Sequence, residues 1–129
     1  MRHLLSFAGL FFIAILFTVA SCGKKEVVVV STGKVYTGKV LKSMCGNVAV
    51  MFTDGTKLGQ IGWLDPSDSI EYNYVFRVAN PCDASPVGAL NNPNGYIKFR
   101  FRGPSVQNCV QCLAWVPTPD TAYNIIVIE

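Results

Sequence analysis

The sequence predicts an all-β fold, a small five- or six-stranded barrel or sandwich. Three observations carry this. Short runs rich in β-branched and aromatic residues recur along the chain, and such side chains pack well on a pleated surface. Clusters of Gly, Pro, Asn and Asp separate the runs. Beyond residue 22 no stretch shows the apolar spacing of a clear amphipathic helix.

Each element follows from its own pattern. Residues 27–30 are four valines, which suit a buried or edge strand. Residues 34–41 form the next strand, in which Gly38 marks a bulge or bend. Val48, Val50 and Phe52 alternate with Ala49 and Met51, and Thr53-Asp54-Gly55-Thr56 offers a hairpin turn into a strand over 57–64. Asp65 and Asp68 in Asp-Pro-Ser-Asp also read as turn residues, since Asp accepts local backbone hydrogen bonds. Residues 71–78 alternate, with Tyr72, Tyr74, Phe76 and Val78 on one face and Glu71, Asn73, Val75 and Arg77 on the other. Residues 81–95 form a loop with room for a short helix. Residues 96–102 and 123–128 complete the set, the last apolar on both faces as a barrel-closing strand would be. Among small β folds, this strand count makes an OB-like barrel the first choice.

The first 22 residues follow a different rule. Met1, Arg2 and His3 make a short basic start, and residues 4–19 are apolar except for Ser6, Gly9 and Thr18. That length suits the apolar region of a signal peptide and is short for a bilayer span of roughly 20 residues. The run ends in Val19-Ala20-Ser21-Cys22. This resembles the lipobox of bacterial lipoproteins, in which small residues admit the chain to a peptidase and the cysteine thiol accepts a diacylglyceryl group. The resemblance implies a cleaved leader over residues 1–21, a membrane-proximal stub over 22–26 and a single β domain over 27–129. It also implies attachment to a membrane through lipid on Cys22, which two or more acyl chains make stable. Gly23, where some lipoproteins carry Asp, resembles the signal for transfer to the outer membrane. The alternative is an uncleaved signal anchor. Lys24 and Lys25 either face lipid phosphates or only solubilise the stub.

Cleavage would remove His3, the only histidine. The remainder then lacks the residue needed for a Ser-His-Asp or Cys-His unit, a histidine zinc site or histidine-ligated haem. Eleven basic side chains stand against eight acidic ones, a balance too mild to imply nucleic acid. No phosphate loop, dinucleotide fingerprint or calcium loop is present, so no cofactor is expected.

In an oxidising compartment, Cys45, Cys82, Cys109 and Cys112 suggest two disulfides with three pairings open. Bridges from Cys45 and Cys82 to Cys109 and Cys112 are preferred, because they close long loops. The Cys109-Val-Gln-Cys112 spacing also admits a thiol-redox or copper site, although Pro117 and Pro119 leave little room for the helix such pairs usually start. Four thiolates suit zinc only in a reducing space. Trp63 and Trp115 read as core or rim packing rather than a sugar platform. On the strand over 96–102, Lys98, Arg100 and Arg102 alternate with Ile97, Phe99 and Phe101, placing three cations in a row on one face. That face suits an anionic envelope polymer, or else simply discourages edge-to-edge pairing. The expectation is a non-enzymatic binding or structural lipoprotein with an envelope protein or glycan partner, for instance as an accessory subunit of an outer-membrane complex.

Overall fold

The computed structural model describes residues 33–84, 88–107 and 116–128. Its strands are β1 (Tyr36–Met44), β2 (Asn47–Phe52), β3 (Trp63–Asp65), β4 (Ile70–Tyr72), β5 (Val75–Val78), β6 (Tyr96–Phe101), β7 (Ala122–Tyr123) and β8 (Ile125–Val127), with a 3-10 turn at Ala89–Asn91. The domain is all-β: an open, strongly curled six-stranded sheet of order β7-β5-β2-β1-β6-β8, and a separate β3-β4 hairpin. The strand expected over 27–30 and the expected leader and stub lie outside the described residues.

The curl follows from how the last strands pair. β7 runs parallel to β5, whereas β8 runs antiparallel to β6. Only Asn124 separates them in sequence, so one short run supplies both edges of the sheet. No ladder joins β7 to β8. The concave side holds the main core, with six rings at its centre: Tyr36, Phe52, Phe76, Phe99, Phe101 and Tyr123. Their centroids lie close, for example 4.7 Å for Tyr36 and Phe101 and 5.0 Å for Phe52 and Phe76. Leu90 of the 3-10 turn joins the same core.

Several sequence expectations change in detail. The tight hairpin lies between β1 and β2, where Cys45 (φ 53°) and Gly46 (φ 77°) both adopt the left-handed conformation that a two-residue hairpin loop demands. Asp54 instead closes a local turn, its carboxylate accepting from the Thr56 amide at 3.0 Å. The chain from 53 to 62 touches the sheet through a Gln60–Val75 bridge rather than forming the strand expected over 57–64.

Gly38 is not the bulge. It stays in register with Phe52 and Ile97, and a Cβ there would lie 2.6 Å from Val50 Cγ1 and 3.1 Å from Phe99 Cε1. The register shift falls between Val40 and Lys42. One extra residue reverses side-chain parity beyond it. Leu41 packs into the outer cluster, and Lys42, paired with Ala49, is turned to that same outer side.

The strand expected over 71–78 is broken at Asn73 and Tyr74, the latter at φ 60°. The break lets β3 and β4 fold back over the convex face of the sheet. There Trp63 packs with Ala49 and Val75, flanked by Leu41, Met51 and Tyr72. Trp63 is thus core, as its composition suggested, but in a second, outer cluster.

Candidate functional site

β6 alternates as its sequence requires. Ile97, Phe99 and Phe101 enter the core, and Tyr96, Lys98 and Arg100 point outward and are exposed. Arg102 is engaged in an ion pair. It lies beyond the end of β6, and its guanidinium pairs with Asp83 at 2.8 Å. Of the three expected cations Arg102 is thus already paired, and Tyr96 joins Lys98 and Arg100 as the exposed residues of β6.

Cross-strand register supplies the neighbours. Thr37 stands opposite Lys98, Lys39 opposite Tyr96, and Ile126 opposite Arg100. The Ile128 amide donates to the Lys98 carbonyl at 2.8 Å, which places Ile128 beside Lys98. Lys39, Ile126 and Ile128 escape a reading of the strand over 96–102 because they belong to other strands. Only the order and register of the sheet bring them in. Tyr96 was visible in the alternation, as the first outward residue of that strand, but it carries no charge to draw attention to it.

The convex face of the sheet is thus divided. The β3-β4 hairpin covers the part built from β2, β5 and the end of β1 through Trp63. The start of β1, β6 and β8 remain uncovered and carry the mixed cationic and apolar surface. Along one strand, outward residues recur at about 7 Å, and adjacent strands lie about 5 Å apart, so this is a shallow face rather than a cleft.

The hairpin is held by a second polar group. Lys42 Nζ donates to Asp65 Oδ1 at 2.6 Å, and the Ser67 amide and hydroxyl donate to the same oxygen at 2.9 and 2.8 Å. Asp65 is almost fully buried. Burial pushes its carboxyl up, but the hydrogen bonds from Lys42 and Ser67 outweigh that and hold it below the usual carboxylate range. Asp54 behaves likewise: burial raises it, while Thr56, Thr37 and Lys34 bring it down. Asp68 caps the Ile70 amide at 2.8 Å and accepts from the Tyr72 hydroxyl at 2.8 Å. All three expected turn carboxylates accept from an amide two residues on, and Asp54 and Asp65 also tie distant segments through Thr37 and Lys42.

A pocket of about 340 Å³ lies at the opposite end of β1, lined among others by Ser43, Cys45, Val48, Cys82 and Leu90. Among the described residues no group of His, Cys, Asp or Glu is placed to hold a metal ion.

Two expected descriptors need correction. Among the described residues no helix is long and apolar enough to cross a membrane, so the expected membrane descriptor finds no spanning segment there. The expected framework of two disulfides among Cys45, Cys82, Cys109 and Cys112 is cut back to what the described residues show, where no bridge geometry joins one described cysteine to another. Cys45 and Cys82 are nonetheless in disulfide form and are not free thiols. Cys109 and Cys112, with the redox or copper alternative built on them, and Trp115 lie outside the described residues, as does Cys22. No protein-family model, curated protein or solved structure matches the chain.

Proposed function

We propose that the chain is a lipid-anchored, non-enzymatic binding module of the bacterial cell envelope, and that the uncovered half of its convex sheet face binds an anionic partner. The observation that carries the binding role is the division of that face. The hairpin seals one half with Trp63, while Tyr96, Lys98 and Arg100 stand exposed on the other. Cations beside a ring and short aliphatic side chains suit a partner bearing phosphate or carboxylate groups.

The anchor reading rests on Val19-Ala20-Ser21-Cys22 after an apolar run, and outer-membrane placement on Gly23. The non-enzymatic reading rests on the loss of His3 with the leader, and on Asp54 and Asp65 being held ionised by structural hydrogen bonds. The strand path supports an OB-like barrel: β1, β2 and β5 in antiparallel succession, β5 parallel to the closing run, and that run antiparallel to β6. Such barrels bind oligomers on an exposed sheet face, an analogy of architecture. Here the hairpin occupies the outer side of β2 and β5, and the proposed surface is the adjoining one.

Replacing Lys98 and Arg100 together by Gln lowers retention on an immobilised acidic polysaccharide and flattens its dependence on salt. Arg102→Gln, whose partner is Asp83, leaves both near the wild-type values. Equal retention of all three proteins ends this reading.

A further inference from the structure

We infer that the anionic partner of the open face is the lipid surface to which the chain is tethered, so that the start of β1, β6 and β8 lie against phospholipid headgroups. This rests on the reading of Cys22 and of the open face given above. Two observations favour lipid over a soluble acidic polymer, and a third identifies the cation on which the inference depends.

First, the cations are interleaved with exposed apolar side chains. Tyr96 is 68% exposed, Ile126 43% and Ile128 41%. Arg100 stands opposite Ile126, and Lys98 stands beside Ile128. An acidic glycan has no use for exposed isoleucines. A headgroup layer does: phosphates meet the cations, while aliphatic and tyrosine side chains enter the boundary with the acyl chains.

Second, the tether joins the sheet at the start of β1, one of the strands of this face. Tyr36, the first residue of β1, is in register with Phe99 of β6, and Val35 directly precedes Tyr36. Val35 is itself 39% exposed. The thirteen residues 23–35 can span at most about 45 Å, which keeps that end of the sheet within reach of the bilayer.

Third, Arg100 makes no ion pair among the described residues, whereas Lys42 and Arg102 are committed to Asp65 and Asp83. Lys98 takes part in an interaction of its own, so Arg100 is the cation on which the inference depends.

The test is hydroxyl-radical footprinting, read by mass spectrometry, of the full lipidated protein in vesicles. Pure phosphatidylcholine is compared with phosphatidylcholine containing about a third phosphatidylglycerol. Oxidation of Tyr96 and Ile126 is expected to be about fivefold slower on the anionic vesicles, the factor that one basic residue near an anionic leaflet contributes. Leu64, exposed on the hairpin, is expected to react equally on both. Arg100→Glu, a change at an exposed site, should abolish the protection. Equal oxidation of Tyr96 on the two vesicles overturns the inference. A second arm adds an acidic polysaccharide to the detergent-solubilised protein. Protection by the polysaccharide without protection on vesicles overturns the lipid assignment and leaves the anionic face standing. Protection in neither arm overturns both.

Discussion

Asn80 shows how one side chain can finish a sheet. β5 reaches the closing run through the Arg77 amide, which donates to the Thr121 carbonyl at 2.8 Å, and the Ala79 amide, which donates to the Tyr123 carbonyl at 2.8 Å. Beyond that the Asn80 side chain continues the pairing. Its oxygen accepts from the Ile125 amide at 2.7 Å, and its nitrogen donates to the Ile125 carbonyl at 2.8 Å. Asn80 and Ile125 are both fully buried, so Asn80→Ala strands two backbone groups away from water. A loss of about 2–4 kcal/mol is expected in urea denaturation. Wild-type stability would show that the seam is held elsewhere. Lys42 and Asp65 tie stability to pH. Because the folded carboxyl of Asp65 is held low, its contribution is complete above the unfolded value near 4 and is lost as pH falls through the folded one. Lys42→Met should cost about 2–3 kcal/mol at neutral pH, the lower side of a broken buried pair because Ser67 still bonds the carboxylate. It should also shrink the loss of stability below pH 4. An unchanged acid limb in a pH series of denaturation curves would separate Asp65 from acid lability.

At the scale of elements, the β3-β4 hairpin is the piece most open to separate loosening. It has its own two-stranded pairing, and the outer cluster around Trp63 holds it to the sheet together with the Lys42–Asp65 contact. Trp63→Ala removes the largest side chain of that cluster. Its cost in a fully buried setting is about 3–5 kcal/mol, but local release of the hairpin offers a cheaper way out. Hydrogen exchange is expected to quicken over residues 63–72 while the amides of β1 and β2 stay protected. Uniform loss across the sheet would instead mean that the hairpin and sheet unfold as one unit. The alternation of β6 was legible in sequence because one face is wholly buried and the other exposed. The break inside 71–78 was not. Val75 and Phe76 are both buried, on opposite sides of the sheet, so alternation there carries no sign of which side is covered. The bulge at Leu41 was equally silent, being set by what Lys42 meets across the chain.

For the whole molecule, the proposed function joins a tether read from residues 1–22 to a face read from the fold. Cys22→Ser should move the protein from the membrane pellet to the soluble fraction and remove the mass of its acyl chains. Retention in the pellet with an unmodified mass would remove the lipid tether from the account. If the open face also meets lipid, a portion of the Cys22→Ser protein should remain bound to anionic vesicles at low salt and leave them as salt rises.

The sequence by itself determined the all-β class, the inward and outward sides of β6, and the turn roles of Asp54, Asp65 and Asp68. These depend on local rules: side-chain parity along a strand, and the reach of a short carboxylate to a backbone amide two residues on. Tertiary structure alone decided which cations share a surface. Arg102 was paired with Asp83, nineteen residues earlier. Ile126 was brought beside Arg100 by a strand from the end of the chain, and the other half of the convex face was closed by a hairpin folding back on it. Those relations are set by register and burial between distant segments, where a single residue of slip exchanges one face of a strand for the other.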